Sequence, residues 1–217
     1  MTGKARMRTL AIESVTEACS VALFDGDELA AGEFRLLGRG HAEALVPMIA
    51  ALPEKGRAER ILVGLGPGSF TGLRIGIAAA RALGLAWNCP VLGFPSLALV
   101  ALAARPLAGA QGVLVATTGG HGQWFCQSFD PAGMPASTLA SLAPDAAARL
   151  GGELVAGSQA EALVAQRGSG IALPCWPDAR MAARLPGGLL TPDLTPIYGR
   201  PPDARLPGGM LREGVRG

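Results

Sequence analysis

The 217-residue chain has little of what most catalytic sites are built from. Its two histidines, His41 and His121, lie far apart in the sequence and in no metal-ligand spacing, which makes a poor metal site. Its four cysteines, Cys19, Cys89, Cys126 and Cys175, form no C-x-x-C pair. They read as buried reduced thiols of a cytoplasmic protein rather than a disulfide framework. Aromatic residues make up only 5% of the chain, and no apolar run reaches the roughly 18 residues of a membrane span without a charge, Pro or Gly. Residues Met1 to Arg8 carry Lys4, Arg6 and Arg8 without the apolar core of a secretory signal. A net charge of +2 argues against bulk electrostatic binding of nucleic acid. No Gly-Lys-Ser/Thr follows a glycine loop, and neither a nucleophile elbow nor a Ser-His-Asp order stands out.

Glycine and alanine are abundant, and the most ordered use of them lies in Gly64-Leu65-Gly66-Pro67-Gly68-Ser69-Phe70-Thr71-Gly72-Leu73-Arg74-Ile75-Gly76. The apolar run Ile61-Leu62-Val63 predicts a buried strand leading into it. Gly66-Pro67-Gly68 predicts a turn, and Ser69 is placed to N-cap a helix running to about Trp87. Gly72, Gly76, Ala80 and Gly84 recur every four residues and form one smooth stripe on that helix. Each internal glycine costs roughly 1 kcal/mol against alanine, so close approach of another helix or backbone is the expected reason. Phe70, Leu73 and Ile77 mark a second, apolar stripe. Either both faces pack within one domain, or one is reserved for another molecule.

Taken in order, the chain predicts strands at Thr9–Glu13, Ser20–Phe24 and Glu28–Phe34, with a hairpin turn at Asp25-Gly26-Asp27. A helix over His41–Leu52, bent at Pro47, follows. Then come the Ile61 strand, the glycine-striped helix, a strand at Val91–Gly93 and a helix over Ser96–Ala104. Hairpins first and β-α-β crossovers afterwards give the element order of the ribonuclease H-like fold. The fold class expected is α/β: two lobes with mixed sheets flanked by helices, as in the actin, Hsp70 and sugar kinase superfamily. Arg105 to Gly109 reads as the lobe boundary, giving an N-terminal lobe over 1–105 and a smaller, divergent one over 106–217. A second meander is expected at Val113–Thr117, Gln123–Phe129 and Met134–Leu139, then helices near Pro144–Leu150 and Ser158–Arg167. The repeated meander suggests duplication, without a residue-level repeat.

Glu13, Ser14, Thr16 and Glu17 sit at the end of the first strand, where nucleotide-binding members of that superfamily meet metal and phosphate. The alternative is a polar turn whose hydroxyls satisfy backbone groups. Gly66, Gly68 and Ser69 open a helix and could add backbone amides to a phosphate site. A vestigial phosphate site would therefore consist of Glu13, Ser14, Thr16, Gly66, Gly68 and Ser69.

Four blocks carry a family resemblance: Leu10 to Leu23, His41-Ala42-Glu43-Ala44-Leu45-Val46-Pro47, Gly66 to Gly76, and Pro196-Ile197-Tyr198-Gly199-Arg200-Pro201-Pro202-Asp203-Ala204. In this order they resemble the TsaB (YeaZ) family, closely over residues 9–103, thinly over 110–190, and again over 196–204. The resemblance implies an actin-like fold and a non-catalytic scaffold. It implies a heterodimer with the paralogous enzyme TsaD, joined by the ATPase TsaE, that makes threonylcarbamoyladenosine beside the tRNA anticodon. Transfer RNA would be met through the complex, and ATP or ADP, if bound, at the partner interface or on the partners. The resemblance assigns this chain no catalytic residue and no metal.

In the family, the first two helices bundle with the partner. Carried over, that interface is His41, Leu45, Met48 and Ile49 with Phe70, Gly72, Leu73, Gly76, Ala80 and Gly84. The same helices could serve a homodimer when the chain is alone. On this reading Gly76→Leu abolishes partner binding and spares the fold. The chain departs from the family pattern at Glu13, usually Asp, and at Thr118-Gly119-Gly120, where charges are usual. The rival class is a self-sufficient enzyme, kinase-like or glycoprotease-like, which needs acidic phosphate loops in both lobes or a metal-ligand cluster.

Overall fold

The computed structural model describes residues 6–108 and 111–199. The first sheet is built from β1 (Arg8–Glu13), β2 (Ala18–Asp25), β3 (Glu28–Leu36), β4 (Arg60–Gly64) and β5 (Val91–Phe94), in the order β3-β2-β1-β4-β5. The three meander strands are antiparallel; β4 and β5 join parallel through the helices α1 (His41–Ala51) and α2 (Phe70–Trp87). The central strands are apolar on both faces, as a sheet covered on both sides requires. Leu10, Ile12, Val21, Leu23, Ile61 and Val63 face α1 and α2, while Ala11, Ala22, Phe24 and Leu62 face the other way. Helix α1 runs through Pro47, which lies on its exposed side.

The second sheet repeats the first. After α3 (Ser96–Ala108) come β6 (Val113–Gly120), β7 (Gln123–Phe129), β8 (Ala140–Leu142), α4 (Pro144–Ala147), β9 (Leu154–Ala156), α5 (Ala160–Arg167) and β10 (Ile171–Leu173). Its order, β10-β9-β6-β7-β8, is that of the first sheet element for element. The duplication suggested by the repeated meander is therefore one of topology. Two mixed sheets flanked by helices make the two-lobed ribonuclease H-like fold.

Three boundaries differ from expectation. Helix α3 does not stop at Ala104: it continues to Ala108 with Pro106 in its last turn, where only one hydrogen bond is forfeited. It lies between the sheets, buried on all sides from Leu97 to Leu102, and shares one core with Phe94 of the first sheet and Val113, Val115 and Phe125 of the second. The third strand of the second meander lies at Ala140–Leu142 rather than Met134–Leu139; Asp130–Met134 is a turn closed by the Asp130 side chain. The chain after residue 178 does not stay in the second lobe. A 3₁₀ turn over Ala179–Arg184 packs on β1, β2 and β3, and the Ala179 amide donates to Ser20 Oγ at 2.9 Å. Thr191 then bridges to Gly93, and Leu194 and Ile197 enter the core beneath α1 and α2. The assignment of 106–217 to one lobe is thus corrected: the described end of the chain straps the first lobe.

Candidate functional site

The loop between β4 and α2 is held from below. The Gly66 amide donates to Ser96 Oγ at 3.3 Å and its carbonyl accepts from the Ser96 amide at 2.9 Å. Gly66 has φ of 102°, and a Cβ there would stand 2.6 Å from the Ile197 carbonyl oxygen, so only glycine fits. The Ser69 amide donates to the Val15 carbonyl, and Ser69 Oγ accepts from the Gly72 amide at 3.2 Å, the predicted N-cap. Ser69→Ala should cost about 1 kcal/mol of stability, read from chemical denaturation.

Glu13 lies fully buried under this loop. Its Oε1 accepts from the Val15 amide at 2.8 Å and its Oε2 from Ser96 Oγ at 2.7 Å. Burial pushes its carboxyl up from 4.5 to about 7, opposed by the hydrogen bonds from Ser96 and from the Val15 and Ser14 amides. Between about 4.5 and about 7 the folded chain therefore holds a proton that the unfolded chain has released. This group's stabilisation is fully present below 4.5 and is lost as pH rises through about 7, a change of about 3 kcal/mol. Glu13→Gln, neutral throughout, should flatten that slope in urea unfolding at pH 5 and pH 8; identical slopes in both proteins would refute it.

The remaining groups of the supposed phosphate site also turn inward. Ser14 Oγ donates to the Gly72 carbonyl at 2.9 Å, and Thr16 Oγ1 accepts from the Ala18 amide at 3.2 Å. Glu13, Ser14, Thr16, Gly66, Gly68 and Ser69 do come together, as a polar turn bonded to itself. His41 Nε2 donates to the Thr16 carbonyl at 2.8 Å, which fixes its tautomer and ties α1 to the β1–β2 turn. His121 is exposed at the β6–β7 turn, far along the chain from these groups, with φ of 52°. Among the described residues no three His, Cys, Asp or Glu side chains are grouped to hold a metal. The four cysteines are free, and burial pushes the Cys19, Cys126 and Cys175 thiols up to about 11.

The glycine stripe has its reason inside the lobe. A Cβ at Gly68 or Gly72 would overlap the Val15 or Ser14 carbonyl; one at Gly76 would stand 2.5 Å from Ser14 Oγ; one at Gly84 would overlap Val91. Helix α2 thus lies directly on the β1–β2 turn and on β5. Of the ten residues carried over as partner-contacting, His41, Leu45, Met48, Ile49, Gly72, Leu73, Gly76, Ala80 and Gly84 are all buried in the chain's own core. Only Phe70 is exposed. A partner would meet α1 and α2 on their opposite faces.

Those faces expose apolar side chains, with two arginines among them on α2. On α1, Ala42, Val46 and Ala50 are exposed at four-residue spacing; on α2, Phe70, Arg74, Ala78, Arg81 and Leu85 are exposed along one side. Val46 is 62% exposed, Leu85 86%, Phe70 51% and Tyr198 45%. Tyr198 reaches this face because the Ile197 amide donates to the Leu65 carbonyl at 2.7 Å. Its ring lies 5.4 Å from that of Phe70, and the Arg74 guanidinium sits 3.7 Å over Phe70. The two distant sequence blocks therefore meet at the start of α2; Arg200 to Ala204 lie outside the described residues. Apart from Phe70, these exposed positions were not singled out because the stripe was read from its glycines, although the same four-residue spacing traces Phe70, Arg74 and Ala78 on the other side.

The family model described as TsaD: tRNA N6-adenosine threonylcarbamoyltransferase matches residues 35–182. The tRNA threonylcarbamoyladenosine biosynthesis protein TsaB of Escherichia coli (strain K12) is 38% identical over 128 residues, 57% of this chain and 55% of that protein. YeaZ from Pseudomonas aeruginosa superposes with a TM-score of 0.69 at 28% identity, over 88% of this chain and 99% of that one. The chain belongs to the TsaB (YeaZ) family. An uncharacterized protein of Mycobacterium tuberculosis (strain ATCC 25618 / H37Rv), 31% identical over 218 residues, is matched over 90% of this chain and 93% of its own length. Against the named TsaB relatives of E. coli and Haemophilus influenzae the match spans about half of their length, 55% and 47%. Among the described residues no helix is long and apolar enough to cross a membrane.

Proposed function

We propose that this chain is a non-catalytic subunit that binds a TsaD-type enzyme and supports tRNA threonylcarbamoyladenosine synthesis. The observation that carries the reading is the α1–α2 pair. Its inner face is used up by the chain's own core, and its outer face leaves Val46, Phe70 and Leu85 in water. Large apolar side chains left in water on two neighbouring helices are the kind of exposure an interaction surface covers. The polar turn around Glu13 supports the non-catalytic part, because its oxygens and hydroxyls are engaged with backbone and with Ser96. Family membership supports the choice of partner. A TsaE-type ATPase would join this pair, and ATP or ADP would sit at the interface or on the partners. The net charge of +2 leaves most tRNA contacts to those partners.

The test is co-purification of the tagged chain with the TsaD-type chain of the same organism, co-expressed at equal levels. A one-to-one complex that survives gel filtration supports the reading. Two separate peaks at micromolar concentration would overturn it.

A further inference from the structure

At the opposite end of β1 from Glu13 lies a cleft of about 560 Å³, within the size range of small-molecule sites. It is walled by the start of β1, the turn between α1 and β4, and the end of α2. Arg8 organises one wall. Its guanidinium holds Asp25 at 2.9 Å and Glu54 at 2.8 Å, and its amide donates to Glu59 Oε2 at 3.0 Å. Glu54 Oε2 and Glu59 Oε1 accept no hydrogen bond among the described residues. The other polar groups of the cleft are less committed. Arg57 is exposed and, among the described residues, pairs with no carboxylate. Asn88 ends α2 in the left-handed conformation, φ 51°, and among the described residues its side-chain amide makes no hydrogen bond. Trp87 is half-buried: it packs against the first-lobe core and also lines the cleft.

We propose that this cleft binds one purine nucleotide. The ligand needs an aromatic surface, a polar edge for the base, acceptors for the ribose hydroxyls and a cation for the phosphate, and the lining supplies each. The Trp87 ring offers a stacking surface. The Asn88 amide is a paired donor and acceptor, the pattern that matches the edge of adenine. The open oxygens of Glu54 and Glu59 accept from ribose hydroxyls, as an acidic residue does in dinucleotide sites. The Arg57 guanidinium meets the phosphate. The mixed charge of the lining selects among ligands. A bare phosphate would gain one free guanidinium beside Asp25, Glu54 and Glu59, and a simple cation would be opposed by Arg57. A nucleotide presents hydroxyl donors and a phosphate acceptor at separate points, so both signs of charge are used. The same chemistry is carried by a free mononucleotide and by a residue unstacked from an RNA strand.

The test is titration calorimetry of the full chain, without any partner, against AMP, adenosine, UMP and the trinucleotide UAU at low salt. AMP should bind one to one with a dissociation constant below about 1 mM, and UMP about tenfold more weakly. Arg57→Gln should weaken AMP about tenfold and leave adenosine, which has no phosphate, unchanged. Asn88→Gly keeps the left-handed helix end and removes the amide; it should weaken AMP about tenfold and erase the preference over UMP. Both positions are exposed, so melting temperatures close to wild type verify that each variant is folded. UAU binding as tightly as AMP, with the same loss in both variants, supports the site and assigns it to RNA. AMP binding without UAU binding supports it and assigns it to a free nucleotide. Absence of saturable binding of both AMP and UAU up to about 5 mM would overturn the proposal, as would binding that neither variant changes.

Discussion

Gly72→Leu is expected to unfold the first lobe or lower its melting temperature by roughly 10 °C, whether or not a partner is present. A Cβ at this position overlaps the Ser14 carbonyl oxygen, and the same residue's carbonyl accepts from Ser14 Oγ. The carbonyl is fixed backbone, not a flexible side-chain end that could swing away. The obstruction is the β1–β2 turn, pinned by His41 on Thr16 and by Val15 on Glu13. To admit leucine, α2 must lift from the turn, breaking the Ser69–Val15 bond and opening the core around Leu73 and Ile77. Overpacking against fixed backbone, with a lost buried hydrogen bond, costs on the order of 4 kcal/mol. Gly76→Leu should be destabilising as well, since Ser14 Oγ stands in its way. Thermal unfolding followed by circular dichroism decides the matter. A variant with wild-type melting but no partner binding would return the stripe to an intermolecular role.

The opposite signature is expected for Val46→Glu combined with Leu85→Glu. Both side chains are mostly in water, so the charges cost the isolated chain little, and its melting point should move by no more than about 2 °C. In a complex the same carboxylates would be buried in an apolar contact without partners. Loss of two apolar anchors together with burial of unpaired charge should weaken binding by about a thousandfold or more. Titration calorimetry against the TsaD-type chain measures it, and unchanged affinity would move the interface elsewhere. The two variants together separate the inner face of the helix pair from the outer: one loses the fold, the other only the partner.

Much of the fold was legible because the first lobe keeps local and global signals in agreement. Short apolar runs mark β1 and β2, Ser69 caps α2, and Asp25-Gly26-Asp27 closes a hairpin. The second lobe was harder to read. Strands β9 and β10 have three residues each, too short for a period to emerge, and Arg105 to Gly109 read as a boundary although α3 runs through Pro106 to Ala108. The return of residues 179–198 to the first lobe has no local signal at all: it depends on Ser20, Gly93 and Leu65 receiving it. At the site, the spacing of Gly72, Gly76, Ala80 and Gly84 correctly announced a close approach but could not say to what. Sequence periodicity identifies a face; whether that face meets its own sheet or another molecule is settled by the strand that lies beneath it. Glu13 shows the same limit. A carboxylate at a strand end reads as chemistry until Ser96, from a distant helix, is seen to hold it.

The central claim is that the chain acts through a partner. It is tested most directly by threonylcarbamoyl transfer to tRNA, assayed with this chain, the TsaD-type chain and any required ATPase, singly and combined. The account predicts product only when both are present, and none when the Val46→Glu/Leu85→Glu variant replaces wild type. Turnover by this chain alone, or full turnover without it, would contradict the account.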